Sequence, residues 1–217
     1  MAATPRHTVL VRVTHWITAA GVAGSLVSGI AILLAHPRLY WGETGAIGGP
    51  SLVDLPLPLL LEGQSGWGRS LHFLSAWILV IAGLVYVAAG ITTRHFRARL
   101  FSRDAGIYNA AQRLTYVLVV FVLFPLLIWT GLAMSPAIVS VAPALVTTFG
   151  GQQSARTIHF FATAALIVFI VVHVVMISLN EPLKLMAEIS VGRPFTGRHR
   201  GHARPGTARR KAAPHTA

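Results

Sequence analysis

Four histidines, His15, His72, His159 and His173, stand inside long stretches that contain no Asp, Glu, Lys or Arg. An ionisable side chain is expensive in such surroundings and marks a task. Imidazole offers two kinds of chemistry there, proton transfer or a lone pair for a metal. His159 and His173 are 14 residues apart, which on a helix is a rise of about 21 Å and a return to within about 40° of the same face. One face of one helix therefore offers a histidine at each of two depths. If successive helices alternate in direction, His72 matches His159 in depth and His15 matches His173, giving two layers of two rings. Zinc wants three or four protein ligands at one level, and no carboxylate lies within any of these stretches. Two imidazoles on opposite faces of a planar macrocycle are what a low-spin b-type haem requires, since the porphyrin supplies the other four nitrogens. The bland account is that each ring hydrogen-bonds a neighbouring helix. It serves one histidine better than four in matched layers. The remaining six, His7, His36, His95, His199, His202 and His215, fall in tails, loops or stretch ends and are read as solvated.

A second regularity accompanies the first. Arg12, Arg69 and Arg156 each precede one of these histidines by three residues, and positions i and i+3 share a helical face. Each guanidinium would then lie about one turn nearer the water, where the propionates of a haem would emerge, and guanidinium pairs well with carboxylate. Reaching for lipid phosphate explains any one of the three equally well. Gly21, Gly24, Gly29, Gly83, Ala162, Ala164 and Ala165 would let a flat ring approach the backbone or let helices pack closely.

The elements that must hold these residues follow from composition. The chain has 217 residues, 54% hydrophobic and 11% charged, far from the globular average of roughly 25% charged. A bilayer core needs about 20 apolar residues of helix, and charge-free stretches of that length occur at 13–35, 71–93, 114–135 and 157–180. The expected fold is all-α, an integral membrane four-helix bundle occupying residues 1–183. Pro125 should kink the third span near its middle. The first stretch is too long for a signal-peptide core of about 7–15 residues and is read as a retained span. With no cysteine, disulfides, thiolate metal sites and covalent haem attachment are all excluded.

Net charge is +12, and its distribution reads as topology and not as nucleic-acid binding. Only Arg38, Arg69 and Arg156 of the 18 Lys and Arg fall on one side of the four spans. By the positive-inside rule both termini are expected in the cytoplasm of a bacterial inner-membrane protein. The tail 184–217, rich in Arg, Pro, Gly and His, is expected to be disordered on anionic lipid. On the outer side the connection 36–70 is long for a bundle. Its apolar run from Leu52 to Leu61 is interrupted by Pro56 and Pro58, too short and too broken to span. It suits either the lipid interface or a docked partner.

Taken together, Arg12, Val13, Thr14, His15 and Trp16, the Ser28 and Gly29 pair ending the first span, His72, the Thr130, Gly131 and Leu132 run closing the third, and the His159/His173 pair resemble the bacterial cytochrome b561 family. That family includes the cytochrome b subunits of nickel–iron hydrogenases and membrane formate dehydrogenases. The resemblance covers roughly residues 5–190. It implies a four-helix subunit with two haem b groups, ligated axially by His15, His72, His159 and His173, that anchors a redox enzyme and exchanges electrons with the quinone pool. Such a chain is an electron-transfer subunit without catalytic residues of its own. The segment Tyr108, Asn109, Gln112 and Arg113 resembles the family's quinone-binding segment beside the inner haem. Hydrogenase-linked members commonly carry a further span or a different outer loop. The 36–70 connection is closer to members accompanying periplasmic molybdenum-cofactor oxidoreductases, so a periplasmic partner of that kind is expected. A self-contained superoxide:ubiquinone oxidoreductase is the alternative within redox proteins, although those relatives have shorter outer loops. A transporter with histidines in a proton path is the alternative outside them. It is disfavoured because transport sites usually leave carboxylates or broken helices at mid-membrane.

Overall fold

A computed structural model describes residues 8–55, 65–93, 110–179 and 182–190. Helix α1 (Val9–Ala35) starts at Thr8, whose hydroxyl accepts from the Val11 N–H at 3.4 Å as an N-cap. Helix α2 spans Ser65–Thr92. The third span has two parts, α3 (Ala110–Leu118) and α4 (Phe124–Ala133), joined by a π-helical turn over Val119–Leu123. Two short helices, α5 (Pro136–Val139) and α6 (Ala144–Thr147), lead to α7 (Gln152–Leu179), and α8 (Pro182–Ser190) follows. Among the described residues four helical stretches, Val9–Ala35, Gly66–Thr92, Leu114–Ala133 and Gln152–Leu179, are long and apolar enough to cross a membrane. This is the expected four-span bundle. Large apolar side chains such as Ile81 and Leu84 stand exposed on it, as lipid-facing residues do.

The helices begin earlier than the charge-free stretches, so Arg12, Arg69 and Arg156 are themselves helical. Each does share a face with the histidine three residues on. At Pro125 the disturbance expected near the middle of the third span takes the form of a π-helical turn. Proline has no N–H to give the carbonyl four residues back, and the chain widens one turn upstream, where the Phe124 N–H donates to the Val119 carbonyl. The disordered tail expected from residue 184 also needs correction. Residues Pro182–Ser190 are helical, a stretch opening on proline, whose fixed φ suits a first turn, and rich in strong helix formers. Glu188 is buried there.

Packing divides the spans into two pairs, α1 against α2 and α4 against α7. In lipid there is no hydrophobic drive between helices, so close fit and hydrogen bonds must hold them. A Cβ on Gly24 would lie 2.5 Å from Ser75 Oγ, and one on Gly68 would lie 3.2 Å from the Ala31 Cβ. Gly24 and Gly68 therefore serve helix packing, as does Gly21, where a Cβ would lie 2.9 Å from the Leu79 side chain. A Cβ on Gly83 would meet nothing within 4 Å among the described residues. Across both pairs Val22, Val119 and Leu166 are buried with Leu26, Leu79, Leu127 and Phe169 around them. This apolar layer lies at mid-bundle, with histidines on either side of it.

Call the end where α1 begins lower and the opposite end upper. At the upper end, Arg38–Leu39 (β1) and Val53–Asp54 (β2) form a two-stranded antiparallel ladder, and Leu39 is almost fully buried beneath it. The ladder is stitched onto the first turn of α7. The Gly42 carbonyl accepts from the Gln153 N–H at 2.9 Å, the Gly42 N–H donates to Ser154 Oγ at 2.7 Å, and Thr157 Oγ1 donates to the Tyr40 carbonyl at 2.7 Å. The first of these, with a weaker one from the Ser154 N–H to the same carbonyl at 3.3 Å, occupies N–H groups that a helix start leaves without intrahelical partners. Gly151, at φ 125°, allows the approach, since a Cβ there would lie 2.4 Å from the Gly42 carbonyl oxygen. Most of the apolar run Leu52–Leu61, from residue 56 on, lies outside the described residues.

Candidate functional site

The upper pair of rings joins α2 to α7. His72 and His159 have ring centroids 6.1 Å apart. His72 Nδ1 lies 3.1 Å from the Ser25 carbonyl and 3.1 Å from Ser28 Oγ. A carbonyl only accepts, so Nδ1 carries the proton. His159 Nδ1 lies 2.8 Å from Thr130 Oγ1. That hydroxyl already donates to the Leu126 carbonyl at 2.7 Å, so it can only accept from the ring. Ser28 is tied in the same way, donating to the Gly24 carbonyl at 2.6 Å. Both hydroxyls are fully buried. Each upper imidazole is therefore fixed as the Nδ1–H tautomer, and its Nε2 lone pair is left for something else.

The lower pair joins α1 to α7. His15 and His173 have centroids 6.3 Å apart. The His173 ring stacks on Phe169 at 5.6 Å, and His15 meets Trp16 edge-on at 5.7 Å.

Both spacings suit one metal between two rings. An imidazole nitrogen binds such a metal at about 2 Å and sits about 1.1 Å from its own ring centre, so opposed ligands have centroids about 6.2 Å apart. Among the described residues no group of three or more His, Asp or Glu could hold a bare ion. A macrocycle that brings its own four nitrogens fits this donor set. Glycines border the upper rings, and a Cβ on Gly29 or Gly131 would touch the ring Cε1 at 3.6 or 3.7 Å.

The arginines differ in their surroundings. Arg12 Nε is buried with no hydrogen-bond partner among the described residues, which fits a carboxylate donated by a bound group. Arg156 donates from Nη2 to the His36 carbonyl, and Arg69 lies close enough to act on the His36 charge. The His36 ring, though largely solvent-facing, titrates below its ordinary range through partial desolvation first and then the positive charge of Arg156 and Arg69. His36, read from the sequence as merely solvated, is thus part of a cationic cluster at the upper end. Of the expected quinone segment, Tyr108 and Asn109 lie outside the described residues. Gln112 and Arg113 fall in the first turn of α3.

Sequence reasoning gave Ser28 and Thr130 no role beyond their place in a familiar run. Their signal was the repeated hydroxyl–glycine pair, Ser28-Gly29 and Thr130-Gly131, each at the upper end of the first helix of its packed pair. In both pairs the hydroxyl meets the upper histidine of the second helix.

Four membrane-spanning helices carrying paired imidazoles across a seam define a membrane cytochrome of the b type. Residues 6–189 match the prokaryotic cytochrome b561 family, and the chain belongs to that family, as a multi-pass protein of the bacterial inner membrane that binds haem b and transfers electrons. It is also similar to a putative protein-methionine-sulfoxide reductase subunit, YedZ1, of Azospira oryzae, with 28% identity over 208 residues covering 84% of this chain and 94% of the relative. No solved structure matches it significantly.

Proposed function

We propose that this protein is a di-haem cytochrome b that carries electrons through the membrane between the quinone pool and a periplasmic oxidoreductase which it anchors. The observation that carries this reading is the pair of upper rings with centroids 6.1 Å apart, each held at Nδ1 by Thr130 or by the Ser25–Ser28 turn, which leaves Nε2 for an axial bond. His72 and His159 would ligate the upper haem, and His15 and His173 the lower. Each haem supplies a one-electron Fe(III)/Fe(II) couple. The chain's own residues do the rest. The histidines bind, the hydroxyls and Ser25 hold tautomer and ring angle, and Arg12, Arg69 and Arg156 balance propionate charge. The Val22, Val119 and Leu166 layer keeps water from the middle of the bundle. Charge asymmetry orients the lower end to the cytoplasm and the upper end to the periplasm.

The relative's description as a putative protein-methionine-sulfoxide reductase subunit supports a reductase of oxidised methionine as the partner, and a periplasmic location and a molybdenum cofactor for that partner are the further parts of this proposal. The carrier at the cytoplasmic end would be a quinone, with Asn109, Gln112 and Arg113 beside it. A pyridine haemochrome assay on the purified chain is expected to give two non-covalent haems per polypeptide. One haem or none overturns the di-haem reading.

A further inference from the structure

The seam between the two helix pairs holds one more polar contact. Tyr86 of α2 and Tyr116 of α3 are joined by a short hydroxyl–hydroxyl hydrogen bond, and three observations fix where it lies. Tyr86 follows His72 by 14 residues, the interval that separates His159 from His173, so span two carries on one face a histidine at the upper depth and a phenol at the lower. The α1–α2 register says the same. Gly24 faces Ser75 and Ala31 faces Gly68, and stepping eleven residues down α2 from Ser75 to Tyr86 brings one to Val13 on α1, two residues from His15. The pair therefore sits at the level of the His15/His173 rings, bridging the same seam.

The third observation concerns how Tyr116 is held. Its ring meets that of Phe121 edge-on at 6.4 Å. Residues five apart stand about 140° apart around an α-helix, but they become neighbours where the turn widens to the i→i+5 register. The π-turn imposed by Pro125 includes Phe121 and so sets a ring against Tyr116. Tyr116 is also about one turn along α3 from positions 112 and 113.

We propose that Tyr86 and Tyr116 form the proton-transfer pair for the quinone at the lower redox layer, a step that rests on the quinone-linked reading above. When a quinol gives its two electrons singly to haem iron, each Fe(III) becoming Fe(II), two O–H bonds break and two protons must leave an apolar seam. A phenol accepts a proton on its oxygen while passing its own to the next hydroxyl, so the pair carries each proton across the seam without holding charge and gives it up to water at the cytoplasmic end. The reverse sequence serves quinone reduction. A pair that merely stitched the helices would have no such role.

Phenylalanine keeps each ring and removes each hydroxyl, which separates the two accounts. Haem reduction would be followed in stopped flow with saturating duroquinol and with menadiol, in wild type, Tyr86→Phe, Tyr116→Phe and the double variant. The expected result is two haems per chain and unchanged dithionite spectra throughout. Quinol-driven reduction should slow by about 100-fold in each single variant, and the double variant should be no slower than the worse single, because either change breaks the same relay. Wild-type speed in either single variant overturns the proposal, as does a slowing matched by loss of haem, which would mark a stitch. A wild-type chain that carries no haem would sink the proposed function itself, whereas a two-haem chain indifferent to both substitutions sinks only this inference.

Discussion

A single buried hydroxyl decides which nitrogen of His159 is free. Thr130 Oγ1 spends its proton on the Leu126 carbonyl at 2.7 Å and can only accept from the ring. Hydrogen-bond acceptors of this kind raise the basicity of a metal-binding imidazole and fix its ring orientation, and their removal typically costs about 10–100-fold in metal affinity. Thr130→Val should therefore retain the fold, weaken upper-haem affinity within that range and raise the potential of that haem, because a less basic imidazole favours Fe(III) less. Thr130→Ser keeps the hydroxyl and should behave as wild type. Redox titration with haem retention on dilution reads both effects, and a Val variant with wild-type potential and affinity would remove Thr130 from the site. Ring depth and pairing were legible from helical arithmetic on four residue numbers. The role of the hydroxyls was not, because serine and threonine also back-bond their own helix, and only the tertiary approach of a second helix shows what else the oxygen accepts.

At the scale of elements, the upper connection shows where sequence reading stops. Its length and its prolines marked it as unusual, but the attachment of Tyr40 and Gly42 to the first turn of α7 joins residues more than a hundred positions apart, and no local pattern encodes that. Gly151 is the residue on which the attachment turns. At φ 125° with a carbonyl 2.4 Å from any Cβ, alanine would suffer both backbone strain of about 1–3 kcal/mol and a collision with Gly42. Gly151→Ala is expected to lower the melting temperature, followed by tryptophan fluorescence, and to loosen the loop ahead of the spans, seen as faster proteolysis within residues 36–55. A variant with the wild-type melting point and cleavage pattern would show that the stitching contributes little. The π-turn was equally illegible. Pro125 announced a disturbance, but that it takes the form of a widened turn depends on what packs around it, here Val119 turned into the core.

The molecule as a whole is two helix pairs facing each other across a seam, with each layer of rings drawing one histidine from each pair. His72 and His15 come from the α1–α2 pair, and His159 and His173 both from α7. Between the layers the apolar residues Val22, Val119 and Leu166 pack without histidine or charge, so the two proposed haem sites share a scaffold but no ligand. Single ligand substitutions should therefore be selective. His72→Ala should cost the upper haem and leave the lower, and His15→Ala should do the reverse, each halving the haemochrome yield per chain. His159→Ala and His173→Ala test the scaffold more severely, since both lie on one helix: if α7 stays in place without one haem, these two also lose one layer each, and the surviving haem keeps its own potential in a redox titration. Loss of the lower haem on His72→Ala would break the layer assignment. Loss of both haems after every substitution would show that the apolar layer does not insulate one site from the other, and that the bundle assembles around its two haems as a unit.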